Sequence, residues 1–231
     1  MANAKTAIAI FVKTPGWSPV KTRLAATLGK DTAEAFHLQA AQTVAATLKQ
    51  LASAAQGYFA VAEAEALTQP CWQTLPCIAQ GAGGLGERLA RVYRDLQQRY
   101  ASVVLIGADS PQMTVAQLSE AINWLSDSSQ ARLVYGASTD GGFWLVGGTV
   151  AIPETVWTDV SYSQADTGSQ LLKRIKPLGE IKHLPMLGDV DEATDLLALQ
   201  QALHDLPIPS PEQQQLLVFL ASLFLPASPI P

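Results

Sequence analysis

The sequence predicts an α/β protein, a three-layer sandwich around a mostly parallel sheet with Rossmann-like order. Three observations predict it. Short apolar runs alternate along the chain with longer stretches of helical period. Several of the short runs are continuously apolar, Val103-Val-Leu-Ile-Gly most clearly, as expected of strands covered on both faces. Finally, 231 residues of which 48% are hydrophobic and 15% charged can bury a sizeable core without a disulfide or structural metal.

Taken in order, strands are expected at Ala7–Val12, Tyr58–Ala62, Val103–Gly107, Arg132–Gly136, Phe143–Gly147 and Ile181–Leu184. Between the first two, Phe36, Ala40, Val44, Leu48 and Leu51 recur at helical spacing, with Asp31 and Glu34 as an N-cap pair. Leu85, Leu89, Val92, Tyr93, Leu96 and Tyr100 form the stripe of a second helix. A third is expected over Val115–Leu125, with Thr114 as N-cap and Gln117 reaching back. Further helices are expected at Ala165–Ile175 and from about Glu192 to His204. Residues 1–206 read as one domain. Beyond them, prolines fence a helix from about Glu212 to Leu225 within a tail of residues 207–231, apolar around most of its circumference. Such a helix is expected to dock on the body or on a second subunit, so a homodimer is one expected assembly.

Composition excludes several function classes. Fifteen basic residues against 20 acidic ones give a formal charge of −5, which argues against a binder of nucleic-acid backbones. Two cysteines and three histidines make neither a disulfide framework nor a four-ligand zinc site. The longest apolar run, Leu216–Leu225, is about half the length that crosses a bilayer, and Ala7–Val12 is too short for a signal-peptide core. A soluble cytoplasmic protein is the expectation.

In a parallel sheet, ligands bind at the carboxyl ends of the strands, so the loops after each strand carry the chemistry. After the first strand, a loop stiffened by two prolines and a glycine leads to Lys21 and Arg23. Such side chains can hold a di- or triphosphate, and they equally suit a solvated basic loop. The glycine-rich segment Gln80-Gly-Ala-Gly-Gly-Leu-Gly opens the second helix. There Glu87 is satisfied by the helix dipole, whereas Arg88 opposes it and would be relieved by an anion or by its neighbours. Asp109 follows the most apolar strand and is not needed as a cap. A carboxylate there calls for a partner, and a hard cation such as Mg²⁺ or Mn²⁺ is the favoured one. Thr139-Asp-Gly-Gly reads as a hairpin turn. Asp191 reads as the N-cap of the late helix, and together with Asp189 it could also complete a cation site.

These segments together resemble a known family. Phe11-Val-Lys-Thr-Pro through Val20-Lys-Thr-Arg-Leu-Ala, Gly84-Leu-Gly-Glu-Arg-Leu, Leu105-Ile-Gly-Ala-Asp-Ser-Pro, Asp140-Gly-Gly-Phe-Trp-Leu-Val-Gly and Asp189-Val-Asp occur in this order. They are similar to the DUF2064 family of GT-A-type nucleotide-diphospho-sugar transferases, some labelled arsenosugar-biosynthesis glycosyltransferases. The resemblance covers about residues 6–200. It implies a GT-A sheet with a divalent cation at Asp109, and it raises Asp191 as a second ligand. It also implies Lys21 and Arg23 as phosphate contacts, with Glu87, Arg88 and Asp140 around the pocket. The leading expectation is a metal-dependent glycosyltransferase acting on a nucleotide-sugar donor and a small-molecule acceptor, with Asp140 as catalytic carboxylate. The alternatives are a nucleotidylyltransferase resembling 2-phospholactate guanylyltransferase, which would release pyrophosphate from an NTP, and a non-catalytic nucleotide-binding protein.

Overall fold

The computed structural model describes residues 6–126 and 130–224. Their order is β1 (Thr6–Val12), α1 (Thr22–Leu28), α2 (Lys30–Lys49), β2 (Ala55–Val61), β3 (Cys77–Ala79), α3 (Leu85–Gln97), β4 (Ser102–Gly107) and α4 (Val115–Leu125), followed by β5 (Arg132–Ser138), β6 (Phe143–Gly148), α5 (Glu154–Thr158), α6 (Thr167–Ile175), β7 (Glu180–Leu187), α7 (Asp195–His204) and α8 (Pro211–Leu223). The seven strands form one sheet in the order β3-β2-β1-β4-β6-β5-β7. Only β6 runs antiparallel to its neighbours β4 and β5. The expected α/β class and mostly parallel sheet are observed.

Period-two alternation sends each strand's side chains into both layers. From β1, Ile8, Ile10 and Val12 enter a core with Val44 and Leu48 of α2 and Leu118 and Leu125 of α4. Ala7 and Ala9 face the other way, onto Leu89, Tyr93 and Leu96 of α3, Trp157 of α5 and Leu171 of α6. Fully burying each valine, leucine or isoleucine among these stabilises by about 1.5–3 kcal/mol. A third cluster joins α1, α2, α7 and α8 through Leu24, Phe36, Leu199, Leu203, Leu216 and Leu220. The proline-fenced helix therefore packs on α2 and α7. Its buried Gln213 also donates to Pro111 O and Met113 O, fixing the loop after β4. Leu225 and the tail beyond it lie outside the described residues.

Local chemistry explains where expectation and structure differ. Thr114 and Gln117 form the expected capping box of α4. The expected N-cap at Asp31 is corrected: α2 already begins at Lys30, and Asp31 lies in its first turn. The break is set by Gly29, whose φ of 86° separates α2 from the unanticipated α1. Strand β3 was not expected either, because three residues carry no readable alternation.

Candidate active site

The strand order places the site. β1 leads toward β2 and β3 on one side, while β4 pairs with its other edge, so the sheet's switch point lies between β1 and β4. A cleft of about 1260 Å³ opens over the strand ends there, lined among others by Lys21, Gln80, Arg88, Asp109, Asp140 and Asp191.

The loop after β1 is built to be stiff. Thr14 donates its N–H to Glu63 Oε2 at 2.9 Å and accepts from the indole of the fully buried Trp72, also at 2.9 Å. Gly16 takes a positive φ of 82°, and the chain then reaches Lys21 in a left-handed conformation (φ 45°, ψ 48°). A lysine in that region is strained. The strain has a visible counterpart: the side chain, only 6% exposed, turns inward between two carboxylates. Its Nζ lies 2.9 Å from Asp109 Oδ1 and 3.2 Å from Asp191 Oδ1, and it also donates to the backbone carbonyl of Val190. Burial pulls the Lys21 pKa down, but Asp109 and Asp191 outweigh it and hold the ammonium above its ordinary value. Arg23 stands outside this trio, largely exposed, 3.9 Å from Asp191 Oδ2.

Asp191 reaches this position because the expected cap is elsewhere. Its reading as the N-cap of the late helix is corrected: α7 begins at Asp195, whose own carboxylate accepts from the backbone N–H of Asp191 (2.9 Å) and Glu192 (2.8 Å). The Asp191 side chain is thereby left for Lys21. Asp189 is pushed up to about 6 by burial first and then by Asp140, with smaller contributions from Asp191 and Asp109. Asp109, Asp189 and Asp191 all line the cleft beside Lys21.

A divalent cation fits this donor set in one particular way. No group of three or more His, Cys, Asp or Glu side chains among the described residues forms a metal centre by itself. Asp109 and Asp191 supply hard oxygens close enough to share one ammonium, and both are about half exposed to the cleft. One or two carboxylates completed by phosphate and water oxygens is the usual provision for Mg²⁺.

The remaining expected residues divide. Arg88 lines the cleft, its Nε donating to Gly83 O at 2.9 Å. Glu87 does not line it: its Oε2 accepts from Gly84 N at 2.6 Å as the return half of a capping box on α3. A Cβ at Gly83, where φ is 101°, would collide with that carboxylate. Asp140 sits in the turn of the β5–β6 hairpin and lines the cleft, with Oδ1 accepting from Gly142 N at 2.7 Å. Gly141 holds the turn at φ 88°, where any Cβ would strike Ala165 O ahead of α6.

Sequence reasoning missed His37, Gln80 and the segment Tyr162–Ala165, which also line the cleft. His37 projects from α2, bonds Lys13 O at 2.8 Å and is lowered in pKa by burial above all. Nothing in its spacing distinguishes it from a core histidine. Ser163, at φ 60°, is the other strained non-glycine residue among those described.

Comparison with known proteins bears on this geometry. The family model described as "Uncharacterized protein conserved in bacteria (DUF2064)" matches residues 26–164, more than half of the chain. The chain belongs to the DUF2064 family. Lys21, Arg23 and Asp191 lie outside the matched stretch of this DUF2064 protein. Among solved structures, it is similar to a candidate nucleotide-diphospho-sugar transferase from Desulfovibrio desulfuricans G20, with 25% identity over 95% of this chain and 96% of that one and a TM-score of 0.82. Two more distant structures share its fold. One is 4-diphosphocytidyl-2C-methyl-D-erythritol synthase from Anaerococcus prevotii DSM 20548 (11% identity, 87% and 99% coverage, TM-score 0.53). The other is Mycobacterium tuberculosis glucosyl-3-phosphoglycerate synthase with Mn²⁺, UDP and phosphoglyceric acid (12% identity, 98% and 81% coverage, TM-score 0.51). No curated protein matches the chain. The architecture is that of nucleotide-using transferases, and no helix among the described residues is long and apolar enough to cross a membrane.

Proposed function

We propose that this protein is a metal-dependent glycosyltransferase that takes a nucleotide-diphospho-sugar donor and a small-molecule acceptor. The observation that carries the reading is the Lys21 ammonium buried between Asp109 and Asp191 at the switch point of the sheet. Asp109 and Asp191 would hold a Mg²⁺ or Mn²⁺ ion together with the diphosphate oxygens. When bound, such a cation supplies positive charge against the departing diphosphate. Lys21 and Arg23 contact the same phosphates, and Lys21 exchanges its carboxylate partners for phosphate oxygens as the nucleotide enters. Arg88, held by Gly83 O, adds charge from the β3 side.

Asp140 acts at the other arm of the cleft. The Gly142 N–H anchors its Oδ1, leaving Oδ2 to accept the proton of an acceptor hydroxyl. The 25% identical neighbour, named for sugar-nucleotide transfer, supports this class. Mn²⁺ with UDP in the mycobacterial synthase supports the cation and the donor. The test is Mn²⁺-dependent binding and turnover of UDP- and GDP-sugars by the wild-type protein and Asp109→Ala. Equal values in both would remove the cation from the reading.

One feature favours a second reading, nucleotidylyl transfer. The loop after β4 carries a single aspartate, Asp109, and its partner Asp191 comes from far along the chain rather than from an Asp-x-Asp pair. Pyrophosphate release from an NTP in the presence of small phosphorylated or carboxylated acceptors would decide for it.

A further inference from the structure

The loop that carries Asp109 is mostly buried, so its backbone must be satisfied from inside the protein. Between β4 and α4, Ala108, Ser110, Pro111, Gln112 and Met113 are buried, while the Asp109 side chain is 41% exposed and lines the cleft. Buried carbonyl oxygens require donors. Ser110 O accepts from Met113 N at 3.1 Å, and Asp109 O accepts from Val190 N at 3.3 Å. Pro111 O and Met113 O are met from much farther along the chain, where Gln213 Nε2 donates to them at 3.0 and 3.1 Å.

Gln213 is itself tightly constrained. It is 4% exposed, and its Oε1 accepts from Ser210 N at 2.9 Å in the capping box that opens α8. With both amide hydrogens on the loop and the oxygen on the cap, the orientation of the side chain is fixed. The helix that carries it is also tied to the other two members of the ion-pair cluster. Leu216 and Leu220 of α8 share one buried cluster with Leu24, just after Lys21, and with Val190, the residue before Asp191. One helix thus braces all three segments that meet at the Lys21 ammonium.

We propose that Gln213 is a positioning residue for the cation site, holding the Asp109 carboxylate in register with Asp191. It acts through the Pro111 and Met113 carbonyls, since it does not itself line the cleft. This role rests on the proposed binding of a cation and diphosphate at Asp109 and Asp191, and it extends that site to a helix beyond the stretch matched by the family model. A small divalent cation demands near-ideal ligand geometry, so a shift of one carboxylate is felt directly. Losing a residue that orients a ligand typically weakens metal binding by about 10–100-fold.

The test separates positioning from helix stability. Gln213→Met removes both donations to the loop, whereas Ser210→Ala removes the other half of the same capping box and leaves the amide in place. On the full chain, amide exchange at Met113 and Val190 is measured without ligand against Val104 of β4, and UDP and GDP are titrated with Mn²⁺ by calorimetry. In Gln213→Met, exchange at Met113 and Val190 is expected to quicken about tenfold or more relative to Val104. The tighter-binding nucleotide should weaken about tenfold or more with Mn²⁺. Ser210→Ala should stay within about twofold of wild type on both readings, since a lost cap hydroxyl weakens the helix without touching the loop. Unchanged binding or unchanged exchange in Gln213→Met, or equal weakening in the two variants, would overturn the proposal. If Gln213→Met does not fold, Gln213→Asn, whose amide is one methylene short of the two carbonyls, carries the same expectation. Absence of Mn²⁺-dependent binding in the wild type would instead remove the proposed function, and the exchange comparison would still decide whether Gln213 holds the Asp109 loop.

Discussion

At the centre of the sheet, Asp109 shares the ammonium of Lys21 with Asp191, and these three residues come from β1's loop, β4's loop and the segment before α7. At the β5–β6 hairpin, Asp140 gives one oxygen to the N–H of Gly142, two residues away. The central aspartates are held by a distant charge, whereas the hairpin aspartate is held by its own turn. Charge should therefore be indispensable at the centre, and shape alone should preserve the hairpin. Substitutions that separate charge from shape can break or sharpen that contrast.

The largest effect is expected at Asp109. Asp109→Ala should reduce transfer about a thousandfold or more, by removing a cation ligand at the departing diphosphate. Its unfolding free energy should change little, because Lys21 keeps Asp191 and Val190 O; urea denaturation beside initial-rate measurements checks both. Lys21→Met should follow, lowering kcat/KM about a hundredfold, close to 2.7 kcal/mol. It should also cost about 1–2 kcal/mol of stability, a figure kept small because both carboxylates are about half exposed. Lys21→Arg should fail to restore activity, since a planar fork does not fit a point-charge site among two carboxylates and a backbone carbonyl.

At the hairpin, Asp140→Asn keeps an oxygen for the Gly142 N–H. Its melting temperature should stay within about 1 °C of wild type, while kcat falls about 10–100-fold through loss of the proton acceptor. A parallel fall in stability would instead assign the carboxylate to the turn alone.

The same division explains what could be read in the sequence. Local rules were legible: the continuous apolar run of β4, the Thr114–Gln117 capping box and the hairpin at Thr139-Asp-Gly-Gly all appear where their chemistry requires. Lys21, Arg23, Asp109 and Asp191 could be named because they stand at strand ends or in charged loops, but their sharing of one ion-pair cluster is tertiary. Asp191 shows the limit. Its sequence context reads as a cap, but the helix begins only four residues on, at Asp195, whose carboxylate takes the N–H groups of Asp191 and Glu192 and leaves the Asp191 side chain free of any capping role. Glu87 shows the reverse, since the resemblance set it at the pocket while its capping bond to Gly84 N turns it to a structural use. Gln80 and His37 were invisible because their placement depends on strand ends brought together across the sheet.

Two smaller effects complete the comparison. His37 is held below its ordinary pKa by burial, so the unfolded chain binds its proton more readily, and wild-type stability falls as pH drops below 6.5. His37→Gln should remove that part of the slope. Its urea midpoint relative to wild type should rise between pH 7.5 and pH 5.5, by under about 1 kcal/mol in free energy. Glu87→Gln should leave kcat/KM unchanged and shift stability by less than about 0.5 kcal/mol, since Gln also closes a capping box.

The claim under all of these is that a phosphate-bearing nucleotide is gripped where β1 and β4 diverge, by Lys21 and by a cation on Asp109. Calorimetric titration of UDP and GDP into wild type and Asp109→Ala, each with and without Mn²⁺, addresses it most directly. The account predicts Mn²⁺-enhanced binding of at least one nucleotide by the wild type, weakened about a hundredfold or more in a folded Asp109→Ala protein. Equal affinity in the two proteins, unaffected by Mn²⁺, would contradict it.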